Sequence, residues 1–478
     1  MNHRTFWDEQ PALLFGLSLL IGTSSVLFWE SPWNGLWPLL WAAYLLWLRR
    51  FPPLLLIAGG AVYGLGAYGS IPACDSAYFS IHSLKPHQSP FEKGLVYQGT
   101  LFVEGGRVPC KIHYPYQPDH PKANCDYLLR GKLTERGPYD YLFRAKEWIR
   151  VEKTHSLAEI RFELKERFRR FLEKKLPTER VASLLGSLMT GDVEDRSLRY
   201  EFGRIGLQHI LAISGFHFAI LIAFSSFFLG LFLNHRWKHI ALLGLINGYF
   251  LFVGAAPAVT RSWLTALFYL IGKLTARHAS GLNLLGAALL IELLLDPIVS
   301  SQIGFQLSFL SCTGILLFAP LFKPWVALLL PKHDSQKLTR FAQHGYLATS
   351  FLRQGLSLAL GVNAAIFPLL LFHFHSFPLL SLFYNLFFPL LVSGALFSLL
   401  IALLAHLLFP PLGAPLFYVT DFFTAQLLEI ASFPPLPLDY SIRAASFPGW
   451  VIPPYLFALF CLSTAKHRFL LTNTPHFQ

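Results

Sequence analysis

The stretch Gln354–Thr420, QGLSLALGVNAAIFPLLLFHFHSFPLLSLFYNLFFPLLVSGALFSLLIALLAHLLFPPLGAPLFYVT, contains no Asp, Glu, Lys or Arg. A helix needs about 20 apolar residues to cross a bilayer, so this run is long enough for about three crossings. Its Gly361, Asn363, Pro368, Pro378 and Pro389 predict kinks or connecting loops instead of continuous rods. Other uncharged runs occupy 11–29, 31–48, 51–74, 205–235, 239–260 and 297–322. The whole chain follows the same pattern: 478 residues, 54% hydrophobic, 15% aromatic and only 14% charged, with a mean hydropathy of +0.46. Such a composition excludes disorder, a fibrous repeat and a disulfide-dense secreted scaffold, and makes lipid the main solvent.

The expected fold class is a polytopic α-helical membrane protein of about twelve spans with a small β-rich, extracytoplasmic domain. The spans are expected at 11–29, 33–48, 53–70, 206–232, 239–256, 259–277, 281–297, 302–322, 346–372, 377–405, 412–431 and 449–465. Met1–Gln10 is scarcely basic and further spans follow at once, so the first span is expected to be retained and not cleaved as a signal peptide. With the N-terminus cytoplasmic, Arg49, Arg50, Arg236, Lys238, Lys273, Arg277, Lys323, Lys332, Lys337, Arg340, Lys466 and Arg468 fall in inner loops, against Arg261 and Arg443 outside. The positive-inside rule then places both termini in the cytoplasm, and most of the +12 net charge reflects topology.

That orientation exports one large polar region. The expected organisation is N-terminal spans in 1–70, a β-rich outer domain in 71–155, amphipathic interfacial helices in 156–204 and a membrane core in 205–478. Strand-like runs occur at Leu95–Val103, Val108–Tyr116, Asp126–Leu133 and Glu147–Glu152, separated by turn residues, and predict a small antiparallel barrel or sandwich. Cys74, Cys110 and Cys125 lie here; one disulfide, Cys110 with Cys125, is the expected pairing in an oxidising compartment. In Ser156–Lys175, Leu157, Ile160, Leu164, Phe168, Phe171 and Leu172 share one helical face, and the charged residues of the other face are expected to be solvated.

The most distinctive passage is Gly206–His217, GLQHILAISGFH. Ser214 and His217 are helical neighbours, and Ser214-Gly215 is a place where a helix bends or breaks. Three readings are open for these polar groups: Ser/His catalysis, the lining of a polar path, or a packing seam. Ionisable residues at membrane depth are functional candidates by default, here Arg261, Glu292, Arg353, Asp421 and Glu429. Arg261 and Arg353 are placed either to meet a passing phosphate or to pair with one of the acids. No Cys/His metal spacing occurs; the one H-x-H, His373–His375, sits in an apolar stretch, so no metal and no cofactor are expected.

The passage resembles the signature G-L-x-H-L-L-A-I-S-G-x-H of the ComEC family of competence-related DNA internalisation proteins, with Ile210 where Leu is common. Further pieces stand in the family's order: Leu188–Asp192 (LMTGD), Arg261, Asn283 with Gly286–Ala288, Asp296-Pro297 and Gly304–Phe309 (GFQLSF). The resemblance implies a DNA-uptake channel in the inner membrane, with an OB-like outer domain receiving one strand. Its channel residues would be His209, Ser214, Gly215, His217, Arg261, Asn283, Glu292, Gln306 and Arg353. An OB-like domain stacks bases on aromatics in a basic groove. Tyr97, Phe102, Tyr114, Tyr116 and Tyr127, with Arg107, Lys111, Lys122, Arg130 and Lys132, supply both ingredients, although about half the aromatics are expected to fill the barrel. Many family members also carry a C-terminal metallo-β-lactamase-like domain whose H-x-H-x-D-H cluster is not found here. The implied partners are single-stranded DNA, the lipid bilayer, a DNA receptor, a separate nuclease and a cytoplasmic translocation ATPase, with a homo-oligomer as one expected state. No enzymatic activity is expected. An intramembrane enzyme using Ser214 with His209 or His217, and a secondary transporter of a small anion, are the rival readings.

Overall fold

The computed structural model describes residues 6–27, 35–67, 75–88, 93–103, 106–117, 119–137, 140–331, 340–432 and 440–473. Cys74, Lys332 and Lys337 therefore lie outside the described residues. An N-terminal group comprises α1 (Phe6–Glu9), α2 (Pro11–Leu27), α3 (Leu36–Trp47) and α4 (Pro52–Ala67). Five strands follow, β1 (Ser76–Gln88), β2 (Lys93–Val103), β3 (Gly106–Pro115), β4 (Cys125–Gly137) and β5 (Asp140–Lys153). They close into a barrel of order β1-β2-β3-β5-β4, with β4 returning to β1.

All barrel pairings are antiparallel except β3 with β5. The sequence lacks a clear signal for β1, whose apolar alternation is interrupted by a register shift between Ile81 and Ser83. Its interior is filled by Phe79, Tyr97, Leu101, Ile112, Leu129 and Phe143. The expected disulfide is corrected by this order. Cys110 on β3 and Cys125 on β4 are separated by β5 on one side and by β1 and β2 on the other. At about 4.8 Å per strand, that exceeds the Cα separation of about 4.4–6.8 Å that a disulfide bridges. Neither thiol is oxidised.

Helices α5 (Ala158–Lys175), α6 (Glu179–Thr190), α7 (Arg196–Arg204) and α8 (Gln208–Leu211) connect the barrel to the remaining helices. These are α9 (Gly215–Gly230), α10 (His235–Val253), α11 (Pro257–Leu274), α12 (Gly281–Leu295), α13 (Ile303–Thr313), α14 (Ala319–Leu329), α15 (Arg340–Phe374), α16 (Leu380–Leu408), α17 (Pro410–Ser432) and α18 (Ile452–Asn473). Every stretch expected to span carries helix. Among the described residues, three segments are long and apolar enough to cross a membrane by length and composition, Ile303–Leu329, Gly345–Phe374 and Leu380–Leu408. A short β6 (Ser376–Pro378) and β7 (Ser441–Arg443) tie the loop after α15 to the loop after α17.

The expectation of interfacial helices in 156–204 needs two corrections. First, α6 and α7 belong to the largest apolar cluster: Val181, Leu185, Leu188, Leu198 and Phe202 pack with Phe388, Val392 and Leu399 of α16 and Phe417 of α17. Asp421 of α17 fixes the start of α6, accepting from the Thr178 N–H at 3.0 Å and its hydroxyl at 2.8 Å. Second, the charged face of α5 is not wholly solvated. Glu159, Lys165 and Arg169 are buried, whereas Leu157, Ile160 and Leu164 are 46%, 55% and 45% exposed. Only the later part of the apolar stripe meets other helices, through Phe168 on Phe252 and Phe171 on Phe417. Buried partners draw the charges inward, and the outward stripe has the composition expected of a face against lipid.

Candidate functional site: the seam between barrel and helices

Two of the buried charges of α5, Lys165 and Arg169, converge on Asp192, the last residue of the LMTGD motif. Helix α6 ends at Gly191, whose φ of +76° gives a left-handed cap and whose N–H bonds the Ser187 carbonyl at 2.8 Å. This turn aims Asp192 at α5. Its Oδ2 takes a 2.7 Å bond from Lys165 Nζ and a 3.5 Å bond from Arg169, and Oδ1 stands 3.8 Å from Lys85 Nζ of β1. Arg169 also pairs with Glu166 and Glu194. Burial lowers the Lys165 ammonium to about 8, with Asp192 opposing the shift. Burial likewise raises Glu194, with Arg169 opposing. Charges from β1, α5 and the LMTGD turn thus lock three parts of the chain together.

Two further contacts fasten the seam. Arg161 Nε donates to the Leu251 carbonyl near the end of α10 at 2.9 Å, and its Nη1 reaches the His82 carbonyl of β1 at 3.4 Å. Glu159 accepts from the Ala123 N–H at 2.7 Å and from Lys122 Nζ at 3.1 Å. Burial pushes the Glu159 carboxyl up, but bonds from His120, Ala123 and Lys122 prevail and hold it at about 2. Between these fastenings lies a cavity of about 290 Å³ lined by Lys85, Pro86, Gly191, Asp192, Val193, Arg199, Gln208, Leu211 and Ala212.

The signature passage forms the inner wall of this seam and is not one continuous span. Gly206 has φ +73°, and a Cβ there would stand 2.5 Å from the Ser381 Cβ and 2.8 Å from Pro378. Close approach to the start of α16 therefore requires glycine. Leu207, Ile210 and Leu211 are buried, while Gln208, His209 and Ala212 are accessible. The chain breaks between α8 and α9, as the Ser-Gly pair suggested. Ser214 is the N-cap of α9, with its N–H donating to His217 Nδ1 at 3.2 Å and its hydroxyl 3.5 Å from the same nitrogen. This is capping geometry. Nδ1 is already engaged as an acceptor for the backbone, which places the ring proton on Nε2. His217 is buried, and its Nε2 has no hydrogen-bond partner among the described residues.

Signature and core meet at Gly215, where an added Cβ would lie 3.7 Å from Arg261 Nη2 and 3.7 Å from Ser262 Oγ. Arg261 is buried, donating to Ser308 Oγ at 2.7 Å and Ser262 Oγ at 3.1 Å. Glu292 lies within electrostatic reach of Arg261, but its carboxylate oxygens have no hydrogen-bond partner among the described residues. The other channel candidates hold the fold. Asn283 clamps the entry to α2, donating to the Glu9 carbonyl at 2.6 Å and accepting from the Ala12 N–H at 3.2 Å. Gln306 bonds the Ser300 carbonyl and His373 Nε2, at 2.9 and 3.1 Å. Arg353 is buried against the Leu330 and Pro331 carbonyls, at 3.2 and 3.4 Å, and among the described residues pairs with none of Glu292, Asp421 and Glu429, the last of which is exposed.

On the barrel, Tyr97 is fully buried with its hydroxyl on the Pro121 carbonyl, and Tyr127 is buried with its hydroxyl on the Lys122 carbonyl. Tyr114 packs beside Tyr97 and Trp148. These rings fill the interior and are removed from the stacking set. Phe102 and Tyr116 are exposed, at 44% and 58%. Arg107, Lys111 and Arg130 are also exposed, Arg130 beside Glu147 at 3.3 Å, while Lys122 serves Glu159. Asp192, Lys165, Arg169, Lys85 and Arg199 do not stand out as a group in the sequence. An aspartate after a motif glycine and cations on an amphipathic helix were visible, but their convergence is tertiary.

The family described as Competence protein matches residues 188–469. That segment begins at the LMTGD turn and contains the signature, Arg261, Asn283, Glu292, Gln306 and Arg353. ComE operon protein 3 of Bacillus subtilis (strain 168) is 29% identical over 221 residues, which is 44% of this chain and 24% of that protein's length. No solved structure matches.

Proposed function

The chain belongs to the Competence protein family, and from that premise we propose that it is the membrane component through which a single strand of DNA enters the cytoplasm during natural competence. The seam carries this reading. A closed five-stranded barrel of an OB-compatible order is locked by charges to the turn that precedes the signature, so a strand-binding shape abuts the helical core. The barrel's exposed Phe102 and Tyr116, with Arg107, Lys111 and Arg130, offer rings and cations to a strand. Gln208 and His209 of the signature are accessible, and Gly215 lies against the buried Arg261.

In this reading the helices make about twelve spans of the inner membrane, both termini are cytoplasmic and the barrel faces outward. The three long apolar segments and the charge asymmetry of the loops support it. The chain conducts and performs no chemistry of its own; the capping role of the Ser214–His217 pair supports that part. A receptor would deliver the DNA, a separate nuclease would remove the complementary strand and a cytoplasmic ATPase would draw the remaining one inward, with the channel acting as a monomer or a homo-oligomer.

Import of labelled DNA into competent cells, with and without the gene, tests the proposal. Deletion is expected to abolish import, Arg261→Ala to reduce it at least tenfold, and the wild-type gene to restore it. Equal import in the presence and absence of the gene would sink the reading. Hydrolysis of a substrate that is lost in Ser214→Ala would instead favour the enzyme.

A further inference from the structure

We propose that the seam cavity is a nucleotide subsite, holding one nucleotide of the passing strand with its phosphate on Lys85 and Arg199 and a base N–H on Asp192 Oδ1. The proposal rests on the DNA reading for the identity of the strand, and it adds the place and the chemistry of contact. A volume of about 290 Å³ suits one nucleotide and not a folded partner. Walls come from β1, the Gly191–Val193 turn, α7 and α8, so an occupant would touch the barrel and the signature at once.

The polar groups are of two kinds. Lys85 is about a third exposed and Arg199 is exposed; Arg199 spends one N–H on the Val193 carbonyl and keeps others of its five. These are phosphate donors. Asp192 is 95% buried by its 5% exposure, and Oδ1 lacks a hydrogen bond among the described residues, with Lys85 Nζ at 3.8 Å. A buried acceptor without a donor is costly. An inorganic anion would leave that oxygen unanswered and face its charge. A nucleotide supplies both needs, an anionic phosphate and base N–H donors, and Pro86, Leu211 and Ala212 offer apolar surface to the base.

The test uses the full chain in lipid nanodiscs and a fluorescent 20-nucleotide single strand. A benzophenone amino acid at position 86 probes the cavity, and one at position 116 probes the barrel exterior. Crosslinking of the oligonucleotide from position 86 is expected. The double variant Lys85→Gln/Arg199→Gln, with an unchanged unfolding midpoint, should flatten the slope of log affinity against log salt by about 1.4, the value for two lost phosphate contacts on a single strand. An abasic oligonucleotide of equal length should bind at least threefold more weakly.

Crosslinking from position 116 alone, with an unchanged salt slope, overturns the subsite and leaves the channel reading standing. Crosslinking of phospholipid from position 86 in place of the oligonucleotide makes the cavity a headgroup site and also overturns it. Equal affinity for the abasic strand removes the role given to Asp192. Failure of the channel reading itself would appear separately, as undiminished DNA import in the deletion strain.

Discussion

Asp192 at the seam and Arg261 among the core helices are both buried charges, and their surroundings differ in kind. Asp192 is met by Lys165, Arg169 and Lys85 from two other segments. Arg261 is met by two serine hydroxyls, and the acid nearest to it in charge, Glu292, has no hydrogen-bonded partner among the described residues. The first arrangement is a fastening, in which Lys165 and Arg169 satisfy Oδ2 while Oδ1 has only Lys85 Nζ at 3.8 Å. The second leaves a cation hydrogen-bonded only by neutral hydroxyls among the described residues, with Glu292 near it in charge but not in contact. Asp192→Ala is the largest test of this contrast. It strands Lys165 and Arg169, and breaking a buried pair in this way costs about 3–5 kcal/mol. Thermal unfolding of the purified protein measures it, and adding Lys165→Met should recover part of the loss. A loss under about 1 kcal/mol would place the seam among surface ion pairs.

The core should respond differently. Glu292→Gln replaces a buried carboxyl group that no donor reaches among the described residues with an amide of the same shape, so stability should change by no more than about 1 kcal/mol. Arg261→Ala takes donors from Ser308 and Ser262, at a cost of about 1–3 kcal/mol, but its DNA import should fall further than its stability accounts for. If Glu292→Gln destabilised the protein as much as Asp192→Ala, the two clusters would be alike and the contrast would fail.

The helical regions were legible because uncharged length is a local property: each run without Asp, Glu, Lys or Arg carries helix. The strands from β2 onward were legible through alternation and turn residues, whereas the register shift at Ile81/Ser83 hid β1. The break at Ser214-Gly215 was also foreseeable. What the sequence did not disclose depends on which face meets which neighbour. A helix with Leu157, Ile160 and Leu164 on one side reads as burying that side, yet Asp192, 27 and 23 residues further along, turns Lys165 and Arg169 inward. Asn283 read as a channel group through the family resemblance and Arg353 as an ionisable residue at membrane depth; distant backbone groups at helix ends gave them structural partners instead.

A smaller effect separates the seam from the barrel by pH. Glu159 is held at about 2 by His120, Ala123 and Lys122 against the burial that raises it, below its ordinary value of 4.5. Its folded value is depressed, so the stability it contributes is fully present above the ordinary value and disappears as pH falls from about 4.5 toward 2. Glu159→Gln should therefore unfold at a lower temperature than wild type at pH 7, by an amount equivalent to about 1–3 kcal/mol, and the gap should close with acidification. A gap that stayed constant to pH 3 would mean that the carboxylate charge contributes nothing to the joint.

The smallest stability effect belongs to the barrel exterior, and it gives that surface its most direct test. Arg130 and Glu147 form an exposed pair at 3.3 Å with side chains 62% and 54% accessible. Such pairs contribute about 0–1 kcal/mol, because water screens them and two flexible side chains must be ordered. Arg130→Ala should thus leave the unfolding midpoint nearly unchanged. A cation that meets a strand instead of serving the fold would reveal itself in binding: single-strand affinity at low salt should fall severalfold, with a shallower salt dependence. Unchanged binding would confine strand contact on this surface to Arg107, Lys111 and the exposed rings.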